Sequence, residues 1–236
     1  MSDKKRTHDQ FYKNEKGLPP KDIFVKIGNY LEEYKDKNIK IADIGTAIGS
    51  FPDYLSKRYS SFEITGFEYL EELIEEGKKT YPHIKFDYLD VNDSNSLEDN
   101  SFDVISMIGV LSIFDNYILP IKNCLSWIKP GGKLFIFGMF NDYDIDVYLG
   151  YKHSTEPLGS SLEGGWNIVS KESIRQTLNE LKVQSFEFHD FEVSVDIKKK
   201  LDDPARSWTE KYSDGSRFIT NGLCLLQPQK LLIITK

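Results

Sequence analysis

Three carboxylates, Asp43, Glu68 and Asp90, each close an apolar run, and a glycine turn, Gly45-Thr46-Ala47-Ile48-Gly49, follows the first at once. In an open α/β sheet, ligands bind beyond the carboxyl ends of the strands, so acids at strand ends face the binding crevice. A carboxylate there can accept both hydroxyls of a ribose, and Glu68 falls about one helix and one strand after Asp43. The turn runs into Ser50-Phe51-Pro52-Asp53, which reads as a helix start with Ser50 at the N-cap and Pro52 in the first turn. A helix start leaves backbone N–H groups unpaired, and these can hold an anion. Each feature alone has an ordinary use, the glycines as a plain turn and the acids as solvated strand ends. Three acids at matching positions behind a glycine turn point to a crevice for a nucleoside.

The elements that must position these residues alternate regularly. Ile39, Ile41, Ala42 and Ile44 suit a buried first strand, and Phe62–Glu68 alternates as a second. Tyr69–Thr80 reads as a helix, Ile84–Leu89 as the third strand and Ser101–Ile108 as the fourth. Asn116–Ile128 is helical and stops at the turn Lys129-Pro130-Gly131-Gly132, with the fifth strand over Lys133–Met139. Asp22–Tyr34 carries an apolar stripe at helical spacing. Strands alternating with helices imply a parallel sheet with right-handed crossovers. Asn141–Asn167 breaks the pattern. Ser170–Leu181 restores a helix, with Ser170 or Ser173 as its cap, and Phe186–Val195 reads as a strand. Asp196–Asn221 is irregular, and two strand-like pieces follow, Gly222–Gln227 and Lys230–Thr235. The whole, residues 1–236, reads as one domain. Residues 1–36 form an arm and a helix, 37–139 the cofactor core, and 140–236 the insertions and last strands. Within the arm, Phe11-Tyr12 reads either as part of a plain tail or as a lid folding over a bound cofactor.

Composition narrows the partners. The chain has 236 residues, 39% of them hydrophobic, enough for a full core. A net charge of −7 argues against a broad nucleic-acid surface. Cys124 and Cys224 make no metal-binding spacing, and each lies in an apolar pattern, helical and strand-like respectively, so both read as buried thiols. The start of the chain shows no signal-peptide pattern and no apolar run reaches membrane-spanning length, so we expect a cytoplasmic location, no membrane contact and a small-molecule substrate. No oligomeric state is implied.

Over roughly residues 39–139 the chain resembles the class I S-adenosylmethionine-dependent methyltransferases. Their first motif, D-x-G-x-x-x-G after a hydrophobic strand, corresponds to Asp43-Ile44-Gly45-Thr46-Ala47-Ile48-Gly49; a third glycine is commoner where Ala47 stands. Glu68 matches the second-strand acid that holds the ribose, and Asp90, beside the Val91 backbone, matches the acid that meets the adenine amino group. Phe102-Asp103-Val104-Ile105 and Lys129-Pro130-Gly131-Gly132 resemble later motifs. The resemblance implies a Rossmann-like, seven-stranded, mostly parallel sheet with helices on both faces, the last strand antiparallel and two insertions on the substrate side. It implies S-adenosylmethionine as cofactor, with Thr46, Ala47 and Gly49 in the binding loop and the Ile108 carbonyl near the cofactor's amine. Nicotinamide enzymes usually carry G-x-G-x-x-G for a pyrophosphate, and no glycine stands two residues after Gly45. A cofactor-binding subunit without catalysis is the rival of another class.

With the other loops committed to the cofactor, the acceptor side falls to the irregular segments. Asn141, Tyr148, Trp166, Asn167, Arg206 and Trp208 are the expected substrate contacts. For a hydroxyl acceptor, His153 is the first choice of general base, since a neutral imidazole dominates at pH 7, and Asp142 the second. The plain alternatives are a loop histidine, solvated acids, packing tryptophans, and an Arg206 paired with Asp202 or Asp203. Asp142 and Asp144 invite a metal, but metal-assisted members of the family also place an acid after the fourth strand. Met107-Ile108-Gly109-Val110-Leu111 has none, so no catalytic metal is expected. The segments Gly165-Trp166-Asn167, Asp203–Thr209 and Asn221-Gly222-Leu223 are loosely similar to methyltransferases encoded with bacterial surface-polysaccharide genes. That similarity implies a sugar, a nucleotide-linked sugar or a phosphorylated precursor as acceptor, with O-methylation.

Overall fold

The computed structural model describes residues 12–13 and 19–236. Five strands lie parallel: β1 (Ile39–Ile44), β2 (Phe62–Glu68), β3 (Lys85–Tyr88), β4 (Phe102–Ile108) and β5 (Ile128–Asn141). Further along the chain come the short strands β6 (Gly150–Tyr151), β7 (Glu163–Gly164) and β8 (Val169–Ser170), then β9 (Ser185–Asp190), β10 (Trp208–Lys211), β11 (Arg217–Thr220) and β12 (Gln229–Thr235). The main sheet runs β3-β2-β1-β4-β5-β12-β9, with β8 added beside the end of β5. The last strand, β12, is antiparallel to both its neighbours. This is the expected Rossmann-like arrangement, mostly parallel with the last strand antiparallel.

Both faces of the sheet are covered, which is why its central strands are apolar throughout. The helices are α1 (Asp22–Tyr30), α2 (Ser50–Arg58), α3 (Glu71–Thr80), α4 (Ile118–Trp127) and α5 (Lys171–Glu180). Side chains alternate across each strand. In β1, Ile41 packs with Ile27 of α1 and Leu55 of α2, while Ala42 and Ile44 belong to the opposite core with Ile121 of α4 and Ile174 of α5. Register keeps the strand ends level: Ile44 lies opposite Phe67 on one side and Met107 on the other, and Glu68 lies opposite Tyr88. The acids that close β1, β2 and β3 therefore meet along one edge.

Several sequence expectations change. Gly49, not Ser50, caps α2: its φ is 90° and its carbonyl accepts the Asp53 N–H at 3.0 Å. The helix expected from Tyr69 begins at Glu71, because the Glu68 carboxylate takes the N–H groups of Tyr69 and Leu70. The Lys129–Gly132 turn is absorbed into β5, whose pairing with β4 skips between Phe102 and Val104, and Gly131 bends there at φ 76°. Ser170 is the cap of α5, accepting the Ser173 N–H at 3.0 Å. The strand expected to run to Val195 ends at Asp190. The stretch read as irregular contains the β10–β11 hairpin. Gly222–Gln227 is not a strand. There Asn221, almost wholly buried, donates to the Ala205 carbonyl and accepts from the Leu223 N–H, fastening a turn where a ladder was expected. Cys224 sits in that turn at φ 59° and is exposed, so it is not the buried thiol its apolar neighbours suggested, whereas Cys124 is buried in α4. No helix among the described residues is long and apolar enough to cross a membrane.

Candidate active site

The loop after β1 is held against the end of β2. Gly45 and Thr46 both donate their N–H to the Phe67 carbonyl, at 2.8 and 3.0 Å. Gly45 has φ 69°, and a Cβ there would stand 2.4 Å from Val110 Cγ2, so both conformation and space require glycine. Ala47 has φ 52°, the left-handed conformation that the commoner glycine would adopt without cost. Its N–H donates to Glu68 Oε2 at 2.9 Å, while Glu68 Oε1 accepts from Tyr69 and Leu70 at 2.9 and 3.2 Å. Three backbone bonds aim this buried carboxylate. Asp90 accepts from both the N–H and the side-chain amide of Asn92, at 2.9 and 3.1 Å.

Asp43 is buried below the loop. Loss of water pushes its carboxyl up to about 6, although Ser106 Oγ donates to it at 2.7 Å and partly offsets the rise. Beyond β4, Gly109 has φ 74°, and a Cβ there would meet nothing within 4 Å.

These groups line a cavity of about 630 Å³, within the ordinary size range of ligand sites. Of the expected cofactor residues, Tyr12, Asp43, Gly45, Thr46 and Ala47 border it. So do Glu68, Asp90, Val91 and Ile108. Gly49 does not; it lies against Phe86, whose Cζ would be 2.4 Å from an added Cβ, so it serves packing and the start of α2. The open space at Gly109 and the Ser50 hydroxyl, which borders the cavity without a hydrogen-bond partner, are features that a polar, elongated cofactor would use.

Beyond β4 the cavity is bordered by residues outside those expected to meet an acceptor. Ile113, Phe114, Asp115 and Asn116, in the short turn and loop after β4, line the cavity, joined by Leu119 of α4 and Gly164 of β7. Sequence reading passed over them; the signal available was a polar pair, Asp115-Asn116, closing an apolar stretch just past the fourth strand. Neither Asp142 nor His153 borders the cavity. Asp142 is ion-paired with Lys171 at 2.6 Å and Lys230 at 3.0 Å, and the hydrogen bond from Lys171, foremost, holds its carboxyl below the usual range. An acid so paired is a poor base. His153 Nε2 lies 4.0 Å from the buried Glu163, which also accepts from the Tyr151 hydroxyl at 3.2 Å.

The expected substrate contacts Asn141, Tyr148, Trp166, Asn167, Arg206 and Trp208 likewise do not border the cavity. Asn141 closes its own turn with Tyr143 and Ile145. Tyr148 is exposed, and Trp166 packs near the Tyr151 ring at 5.7 Å. Trp208 is buried, its indole N–H donating to Glu210 at 2.7 Å. Asn167 is buried and donates to the Phe114 carbonyl at 3.1 Å and Asp115 Oδ1 at 3.0 Å, while accepting the Leu149 N–H at 2.8 Å. Arg206 pairs with Asp203 at 3.7 Å, and its guanidinium lies 6.0 Å from the ring of Tyr12, on the cavity wall. Phe11 lies outside the described residues. Among the described residues, no cluster of His, Cys, Asp and Glu could hold a metal ion.

Residues 20–181 match the family model of a methyltransferase domain, and the chain belongs to that family. Demethylmenaquinone methyltransferase of Staphylococcus haemolyticus is 29% identical over 117 residues, which cover 48% of this chain and 45% of that relative. The enzyme of the same description from Staphylococcus aureus is 31% identical over 101 residues, 42% of each chain. The chain thus spans about half the length of the curated relatives it matches. In fold it is similar to the YcgJ protein from Bacillus subtilis, with a TM-score of 0.60 at 10% identity, covering 90% of this chain and 97% of that one. A SAM-dependent methyltransferase from Archaeoglobus fulgidus gives a TM-score of 0.57 at 16% identity, covering 91% and 93%. The chain thus carries a methyltransferase domain, and its strand-end acids and glycine loop border the cavity of that domain.

Proposed function

We propose that this methyltransferase modifies a small polar metabolite, a sugar, nucleotide-linked sugar or phosphorylated precursor, at a hydroxyl oxygen. The observation that carries the reading is the mixed cavity wall beyond β4, where Asp115 and Asn116 stand among the apolar Ile113, Phe114 and Leu119. Polar groups set among apolar and aromatic walls suit a ligand with several hydroxyls.

When bound, S-adenosylmethionine supplies an activated methyl group. The chain's own residues do the rest. Glu68 would take the ribose hydroxyls, Asp90 and the Val91 backbone would face the adenine, and the Gly45–Ala47 loop with Gly109 would accommodate the amino-acid end. Asp115, oriented by the buried Asn167 amide, receives the acceptor's hydroxyl proton. It takes over the base role first expected of His153 and Asp142, because it borders the cavity and they do not. Alignment of two reactants in such a site can contribute roughly 7–11 kcal/mol to the rate.

The test is transfer from methyl-labelled cofactor into a fractionated metabolite pool, with the modified atom located by mass spectrometry. Label on an oxygen of a polar, water-soluble product supports the reading. Label on a ring carbon of a quinone, the class of acceptor in the name of the staphylococcal relatives, overturns it.

A further inference from the structure

After β3 the chain turns through residues 89–96, and Leu89, Asp90, Val91 and Asn92 of this loop border the cavity. Much of the loop is closed by its own hydrogen bonds. The Asp90 carbonyl accepts from the Asp93 N–H at 3.0 Å and from Ser96 Oγ at 2.9 Å. In a trans peptide the carbonyl and the next N–H point opposite ways, so the Val91 N–H turns away from the loop's interior. Two side chains of α4 reach the loop from outside. The Asn123 amide donates to the Val91 carbonyl at 2.8 Å, and the Trp127 indole N–H donates to the Ser94 carbonyl at 3.3 Å.

Packing does not explain Asn123. It is 2% exposed, on a helix whose other buried residues are Pro120, Ile121, Cys124, Leu125 and Trp127. A buried amide costs free energy unless it is paired, and the partner here is the backbone of a residue on the cavity wall. The Val91 side chain belongs to the same core as Ile121 and Cys124. Apolar burial of that kind is non-directional and sets only how deep the loop lies. A hydrogen bond is directional, so the amide of Asn123 sets which way the Val91 backbone faces.

We propose that Asn123 is a positioning residue for base selectivity: from α4 it fixes the Val91 backbone so that the loop accepts adenine and rejects its deaminated counterpart. The proposal rests on the cofactor reading above and adds to it the residue behind the loop. Adenine presents a ring nitrogen that accepts beside an amino group that donates, and the Val91 N–H and the Asp90 carboxylate answer them in that order. Hypoxanthine reverses both groups, which sets donor against donor and acceptor against acceptor. Asn123 itself touches neither the base nor the reacting atoms.

The experiment is calorimetric titration of the full chain with S-adenosylhomocysteine and S-inosylhomocysteine, which differ only in the base, with thermal denaturation of each variant alongside. Wild type is expected to prefer the adenine ligand by roughly 10²-fold, the scale of two mismatched hydrogen bonds. Asn123→Leu, close in volume but without the amide, should bind S-adenosylhomocysteine about tenfold more weakly and S-inosylhomocysteine almost as before, so the preference shrinks. Asn123→Ala takes its place, with the same expectation, where the leucine variant does not fold. Trp127→Phe is the control. It removes the bond to Ser94, which does not border the cavity, and should keep the preference even where it lowers the melting temperature. Equal losses for both ligands in the Asn123 variant, or an undiminished preference, would overturn the proposal, as would Trp127→Phe losing the preference to the same degree. A wild type that binds both ligands alike overturns it without any variant. A wild type that binds neither overturns the cofactor reading itself, a result distinct from all of these.

Discussion

At the scale of single residues, the site works by placing carboxylates where water is scarce. Glu68 is the strongest case, since three backbone N–H groups of two different segments converge on it. Glu68→Ala should lose S-adenosylmethionine affinity by on the order of 10²-fold or more, because two ribose bonds at about 1.5–3 kcal/mol each go with it. Calorimetry that finds the same affinity in both proteins would remove Glu68 from the site. Asp43 makes the opposite trade. Its native carboxyl titrates at about 6 against 3.8 in the unfolded chain, so the native state holds the proton more tightly. Its contribution to stability is therefore fully present below the unfolded value and is lost as pH rises through 6. At about 1.36 kcal/mol per pKa unit, this amounts to roughly 3 kcal/mol of destabilisation at neutral pH. Asp43→Asn should make the ligand-free protein more stable than wild type at pH 7.5, with the difference shrinking toward pH 4, while weakening cofactor binding. Urea denaturation at the two pH values measures it. A variant less stable than wild type at pH 7.5 would show that the ionised carboxylate is a net support of the fold.

At the scale of elements, the cavity wall beyond β4 is a loop held in place by another loop. Residues 112–115 follow β4, and Asn167 reaches them from the far end of the insertion with its N–H, at 2.8 Å from the Ser112 carbonyl, and with its side-chain amide. The Leu149 N–H completes the clamp from the strand side of the insertion. Asn167→Ala removes three hydrogen bonds that tie the two loops together, each contributing about 0.5–1.5 kcal/mol. Hydrogen exchange at residues 112–116 should speed up in this variant, while cofactor affinity, set by the opposite wall, should change little. Unaltered exchange there would mean that α4 and the β4 strand hold the loop without Asn167.

At the scale of the whole molecule, a segment late in the chain backs a residue from early in it that lines the cavity. Tyr12 and Lys13 line it from the N-terminal side, and Arg206 of the second insertion lies over the Tyr12 ring. Cofactor binding should therefore slow hydrogen exchange around Tyr12, and Arg206→Ala should reduce that protection, since a contact of this kind contributes about 0.5–1 kcal/mol at an exposed position. No change around Tyr12 at saturating S-adenosylhomocysteine would leave this part of the chain outside the binding event.

The cofactor half of the molecule was legible from sequence because its determinants are local. Each acid sits at the end of its own apolar strand, and parallel pairing brings such ends level, so Asp43, Glu68 and Asp90 had to share an edge once the strands were recognised. Even there, Gly49 looked like a binding residue and is a packing one, since nothing in its own segment announces Phe86 of β3. The acceptor half was decided by tertiary structure. Asp142 reads as a free loop acid until Lys171 and Lys230 are brought to it from two later elements. Asn167 is a plausible ligand contact until the fold buries it and turns its amide onto Phe114 and Asp115, residues more than one strand and helix away. Strand ends are set by patterns a few residues long, whereas a loop's partners depend on where distant segments close upon it, and no local pattern encodes that.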